Sequence, residues 1–251
     1  MSLLWHQLRA EQLIFWRNRE SAVFIFIFPL LLFVLLASLY DGDLELDGVD
    51  YAARDVLLAG MIGYGAANTA FAGLAITLVI RREYGILKRL RSTPLPAPTY
   101  LVAVLCSAVL VFALQVAALF SVGALAYDTS TPEQIGSVAV LVVLGVLAFA
   151  GLGIGAAALI RSGEGASAVL NVILLPMAFL SGAFGSRDYP AALEAIANVL
   201  PLKYYIDLVY AAYLQNEPIW SDPLAIGVVA AWGLAGAAVG ARRFGWEPRE
   251  R

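Results

Sequence analysis

One cysteine, one histidine and two lysines are all that the 251 residues contain of these three types. Cys106 alone excludes an intrachain disulfide framework, and with only His6 beside it a zinc site built on a Cys/His cluster is excluded too. An intramembrane serine–histidine hydrolase falls on the same ground, because His6 lies in the amino-terminal arm, outside every apolar run. Charge is also scarce. Asp, Glu, Lys and Arg make up 14% of the chain, against ~25% in soluble domains. A net charge of -3, with basic residues in short groups, excludes a nucleic-acid binder. Lys88 and Lys203 each follow a leucine, so no G-x-x-x-x-G-K-[ST] loop is present to cradle a phosphate. Gly151, Gly153 and Ala156 mimic a dinucleotide fingerprint, but they lie inside an apolar run with no strand before it.

What is present is apolar. Hydrophobic residues reach 61% without the 22 glycines; soluble domains reach about 45–50% with glycine counted in. Six stretches carry no Asp, Glu, Lys or Arg: 21–40, 56–80, 92–127, 134–160, 165–186 and 223–241. A helix needs roughly 20 residues to cross about 30 Å of hydrocarbon, so each stretch is long enough. Pro94, Pro96 and Pro98 break the start of the third. The sequence therefore predicts an all-α membrane protein in one domain, residues 1–251, with six transmembrane helices over 21–40, 56–80, 99–127, 135–160, 166–186 and 223–241. The first run has full span length and follows Arg9, Arg17 and Arg19, which predicts a span and not a cleavable signal core. With both termini placed in the cytoplasm, 13 of the 16 basic residues fall inside and 13 of the 19 acids outside, the expected bias.

The spans hold no ionisable group. Such groups cost roughly 2.5–3.5 kcal/mol at a helix centre and persist where they are used, so energy for uphill transport is expected from outside the bilayer. Sodium coupling through carbonyls and hydroxyls remains compatible with the composition. Asn68, Thr69, Gln115, Asn171 and Ser181 are the uncharged candidates for a substrate path, and interhelical hydrogen bonding is the alternative role. Gly151 with Gly155, and Gly236 with Gly240, form G-x-x-x-G pairs that join helices within one subunit or across a dimer. The acidic run 41–50 lacks the glycine and glutamate spacing of a calcium loop and reads as a solvated face.

The loop after the second span reads Arg81-Arg82-Glu83-Tyr84-Gly85-Ile86-Leu87-Lys88-Arg89-Leu90-Arg91-Ser92-Thr93-Pro94-Leu95. As a helix it sets Ile86 and Leu90 four apart on one side with basic groups around them, and Pro94 stops it. Two readings stand: an anchor on anionic lipid, or a short helix that docks on a cytoplasmic partner and passes its motion to the spans.

This segment resembles the R-E-x-x-G-x-L-x-x-L-x-x-T-P-L pattern of ABC-2 type permeases, at Arg82, Glu83, Gly85, Leu87, Leu90, Thr93, Pro94 and Leu95. A second likeness runs through Leu180-Ser181-Gly182, Pro190, Leu193, Ala197, Leu200-Pro201-Leu202 and Tyr204, with Leu200 where the family commonly has Asn and Tyr210 where it often has Arg. The family includes daunorubicin-resistance and nodulation-factor export permeases. The resemblance implies a permease subunit of an exporter in the plasma membrane of a prokaryote. It also implies two copies of a separate ATPase that binds the ATP and Mg, and a second permease copy, either identical or a close paralogue. No cofactor is expected on this chain, and membrane lipids are expected around it. Residues 1–20, with Trp5, Leu8, Phe15 and Trp16, would lie along the inner surface. Residues 81–95 would hold the coupling helix, with Glu83 touching the ATPase or holding the loop; capping the second span is its alternative role. Residues 187–222, including Pro190, Pro201 and Tyr204, would form short helices that re-enter the outer leaflet.

From the residues alone that last segment is amphipathic and does not span, and Tyr204, Tyr205, Tyr210, Tyr213 and Trp220 fit an interfacial belt, with substrate contact as the alternative. The charge-free spans suit an amphipathic or lipid-like substrate. A passive or sodium-coupled carrier and a non-transporting scaffold are the rival functions.

Overall fold

The computed structural model describes residues 3–40, 42–46, 48–185, 189–245 and 247. Among them six helices are long and apolar enough to cross a membrane: Arg19–Leu39, Ala53–Glu83, Ala97–Ala126, Ile135–Leu159, Gly163–Leu180 and Pro223–Arg243, here spans 1 to 6. The surface helix Leu3–Arg17 precedes them. Its Gln12 donates to the carbonyl of Ser107 at 3.0 Å and to its hydroxyl at 2.8 Å, fixing the helix across span 3.

Span 2 is the axis of the bundle. Every residue from 56 to 75 is buried, and 89% of its apolar window lies inside the protein, against 22–28% for spans 1, 5 and 6. A helix that is apolar all round and rich in Gly and Ala accepts neighbours on every side. Spans 4 and 6 approach most closely at their glycines. A Cβ on Gly155 would stand 2.7 Å from the Gly236 carbonyl oxygen, and one on Gly236 would stand 2.6 Å from that of Gly151. The two G-x-x-x-G pairs therefore meet each other within one chain.

Span boundaries move where charges find partners. Span 2 runs on through Arg81, Arg82 and Glu83, which the sequence assigned to the loop, because all three reach acceptors or donors in the protein. Span 3 starts at Ala97, with Pro98 in its first turn, where proline has no hydrogen bond to break. Span 5 ends at Leu180, short of the expected 186, because Gly182 turns the chain at φ 79°. Residues 186–188, at the boundary of the two expected segments, lie outside the described residues.

The acidic run holds a hairpin that the sequence reading missed. Asp43–Leu46 pairs antiparallel with Val49–Ala52, Asp43 facing Ala52, with Leu46 buried and Asp43, Glu45 and Asp50 exposed. Asp41 and Asp47 lie outside the described residues.

Between spans 5 and 6, Ala191–Ala197 and Pro201–Tyr213 form two helices. Pro190 precedes the first, Pro201 opens the second, and the Tyr204 hydroxyl donates to the Asn198 carbonyl at 2.8 Å across the turn between them. The second helix sinks between spans 2, 4 and 6. Gly145 makes room for the Tyr205 ring, whose Cζ would lie 2.6 Å from a Cβ there, and the Tyr205 hydroxyl donates to the Leu141 carbonyl at 3.0 Å. The belt expected of the tyrosines is thus corrected. Trp220 is 72% exposed, but Tyr205, Tyr210 and Tyr213 are buried. A buried phenol needs one acceptor for its hydroxyl, and the carbonyls of Leu141, Gly182 and Ser130 serve.

Candidate functional site

Consecutive residues on a helix point about 100° apart, so three charged groups in a row at a helix end reach three different neighbours. At the end of span 2 they do. Arg81 makes a two-pronged ion pair with Glu11 of the surface helix, at 3.0 and 2.7 Å, and donates to the Tyr100 hydroxyl in span 3 at 2.7 Å. Both charged partners are buried, at 9% and 6% exposure. Removing one member of such a pair costs roughly 3–5 kcal/mol, because the other is left charged and dry.

Arg82, 1% exposed, turns to span 4, where it donates to the carbonyls of Ala157, at 2.8 Å, and Ile160. Ala157 lies in the last turn of span 4 and Ile160 caps its end, where backbone acceptors lack helical partners and a cation is favoured. Glu83 turns to span 5. Its Oε2 accepts from the N–H of Gly163, the first residue of that helix, at 2.7 Å. This bond is exposed, so it contributes at most about 1 kcal/mol, and Arg82 is the stronger hold. A Cβ at Gly163 would press on the Glu83 carboxylate and push that side chain aside.

The helix stops at Tyr84 because Gly85 adopts φ 67°, ψ 14°, a conformation glycine enters without the side-chain clash other residues meet. Ile86–Arg91 then forms a short helix whose Leu87 is fully buried, while Lys88, Arg89 and Arg91 face solvent and Tyr84 is 72% exposed. Leu90 is partly buried against the core. The Thr93 hydroxyl donates to the Leu90 carbonyl at 2.6 Å and Pro94 follows, which ends the turn. The expected coupling segment 81–95 therefore divides at Gly85 into a root, with Arg81 and Arg82 buried and Glu83 at the surface, and an exposed basic ridge.

The polar residues of the spans divide as well. Proline 29 has no N–H to return to Phe24 or Ile25, the carbonyls five and four residues back, and span 1 widens into a π-helical stretch at Val23–Ile27. Gln115 of span 3 supplies a donor to Ile25 at 2.9 Å and to Phe26 at 3.3 Å; Asn68 of span 2 reaches Phe24 at 3.3 Å. Thr69 donates to Gln115 at 3.4 Å. The three residues are brought together: Asn68 and Gln115 are struts on span 1, and Thr69 holds Gln115. Asn171 stands apart and donates to Ser167 of its own helix at 2.9 Å; Ser181 is wholly enclosed elsewhere. A cavity of about 170 Å³ between spans 1, 2 and 5 is lined by Asn68 and Asn171, and one of about 280 Å³ beneath the surface helix by Thr69, Thr77, Arg81 and Ile86 among others. Two features were not read from the sequence: Pro29 within an apolar run, and Glu11 amid the surface helix. A proline inside a span and the one acid within the Leu3–Arg17 helix were the available signals.

Six apolar helices, five of them around the buried axis of span 2, with a basic helix hung from that axis, define a multi-pass integral membrane protein of the all-helical kind. Residues 2–214 match the family model described as ABC-2 type transporter, and the chain belongs to that family. It is the membrane, non-catalytic component of such a transporter. No curated protein matches the chain.

Proposed function

We propose that this chain is the permease subunit of an ATP-binding-cassette exporter that moves an amphipathic or lipid-like molecule outward, with ATP and Mg held by a separate ATPase. Two permease copies and two ATPase subunits form the working unit in a prokaryotic plasma membrane, and the basic end with both termini faces the cytoplasm. The placement of 13 of 16 basic residues supports that orientation, and the charge-free spans support an apolar substrate.

The observation that carries the reading is the turn at Gly85. It presents Lys88, Arg89 and Arg91 to solvent on a helix pinned by Leu87, with exposed Tyr84 just before the turn, at the end of the most buried span of the protein. A basic ridge of this kind is a surface on which an ATPase can push. Proline is confined to φ near −65°, so Gly85→Pro removes the turn while leaving the spans intact. The test is to purify the native complex in mild detergent, identify what co-purifies and compare ATP hydrolysis and export with and without Gly85→Pro. A stoichiometric ATPase lost or uncoupled by the substitution is the expected result. A permease that stays alone through several mild extractions, or transport that persists in ATP-depleted vesicles, would replace this reading with a carrier or scaffold.

A further inference from the structure

We infer that the turn between spans 4 and 5 is a second moving part of the coupling device, driven by Arg82 from inside the protein and by Glu83 at its surface. The inference rests on the reading of residues 84–95 as the surface the ATPase moves, and assigns Arg82 and Glu83 a role as positioning residues.

The turn comprises residues 160–162, between Ile135–Leu159 and Gly163–Leu180. It is gripped at both ends. The Arg82 guanidinium holds the Ala157 and Ile160 carbonyls on its leading side, and the Glu83 carboxylate holds the Gly163 amide on its trailing side. Only Tyr84 and Gly85 separate these residues from the basic helix Ile86–Arg91. A displacement of that helix therefore has two routes into the bundle: along span 2 itself, and sideways through the grip into the facing ends of spans 4 and 5. The sideways route is stiff. Arg82 is 1% exposed, so its hydrogen bonds are shielded from water, and a planar guanidinium fixed at two acceptors holds direction as well as distance. Spans 4 and 6 are joined backbone to backbone at their glycines, so motion given to span 4 is passed on to span 6.

The test places spin labels at Arg89→Cys and Arg161→Cys, both exposed positions, after Cys106→Ser removes the one native cysteine. The first readout needs no ATPase. In lipid nanodiscs formed with the labelled chain diluted in excess unlabelled Cys106→Ser chain, the parent should give one narrow distance distribution, and Arg82→Met should broaden or split it, with Arg82→Lys between the two. Should Arg82→Met fail to fold, Gly163→Ala opens the exposed side of the grip alone and should broaden it more modestly. The second readout is export per ATP hydrolysed in the co-purified complex, which should fall roughly tenfold in Arg82→Met while hydrolysis continues. An unchanged distance distribution in both variants would overturn the inference, as would export that falls only in proportion to the folded protein recovered. Absence of any ATPase would count against the exporter reading and not against the grip, which the first readout decides.

Discussion

Replacing Gln115 with leucine tests whether the polar residues of the spans hold the fold or meet a substrate. Gln115 is fully buried, and leucine keeps nearly its volume while removing both donors. The bond to Ile25 at 2.9 Å serves a carbonyl that Pro29 deprives of a backbone partner; the contact to Phe26 at 3.3 Å is longer and weaker. Interhelical hydrogen bonds in membranes average about 0.6 kcal/mol and reach about 1.7, and stranding a buried carbonyl costs about 1–3 kcal/mol. A destabilisation of about 1.5 kcal/mol follows, roughly a tenfold change in the folded-to-unfolded ratio.

The reasoning becomes specific in a second background. Pro29→Ala returns an N–H to span 1, so Gln115→Leu should cost only about 0.5 kcal/mol there, a coupling of about 1 kcal/mol between residues 86 positions apart. Sodium dodecyl sulfate titration in mixed micelles, followed by the fluorescence of the five tryptophans, measures all four corners of the cycle. Equal costs in the two backgrounds would refute the account of Pro29. Full stability with lost export would return Gln115 to the substrate path.

Three further outcomes are expected. Gly155→Val forces span 4 off span 6 and should cost about 1–3 kcal/mol, seen as lost monodisperse protein in size-exclusion chromatography; Gly227→Val, where a Cβ meets nothing within 4 Å, is the silent control. Glu11→Gln leaves Arg81 charged and half-partnered, so the surface helix should peel away and trypsin should cut faster at the exposed Arg9 and Arg17; unchanged cleavage would show that the ion pair does not hold it. The Ser130 N–H donates to Asp55 at 3.0 Å, and the Tyr213 hydroxyl lies 2.7 Å from the same oxygen. Tyr213→Phe should accelerate amide exchange at Ser130 by roughly fivefold, the equivalent of about 1 kcal/mol.

The spans were legible because their signal is one of sum and length: an uncharged run of about 20 residues has few other fates. The basic loop was legible as a motif for a similar reason, since charge after a span stands out. Partners in the fold were not. Arg82 finds two carbonyls, Gln115 two more, and Tyr205 another. Every residue owns a carbonyl, so nothing in the sequence marks which one is short of a donor, except beside a proline. Pro29 was such a mark, and its meaning needed the position of a residue 86 places further on. The hairpin over residues 43–52 was hidden differently: alternation over two four-residue strands is too short to stand against the turn-forming Asp and Gly around it. The tyrosines of residues 201–213 read as interfacial because amphipathic rings suit an interface, and they suit a core equally once the hydroxyl finds an acceptor and the ring a seat, as Gly145 gives Tyr205.

The burial of span 2 bears on how any push at the basic end is used. A helix exposed to lipid along one face can tilt by displacing lipid alone, but span 2 is packed on every side from residue 56 to residue 75. Packed interiors shift between discrete arrangements and do not deform smoothly. A force applied below Gly85 is therefore shared at once with the surface helix through Arg81, with spans 4 and 5 through Arg82 and Glu83, and with span 1 through Asn68. Spans 1, 5 and 6 face lipid, but span 6 is held to span 4 at their glycines, so spans 1 and 5 are the ones with freedom to answer, and Asn68 and Asn171 line the cavity between them and span 2. Under the exporter reading, the push is delivered to the one helix that cannot move alone, and the opening is made by the two that can.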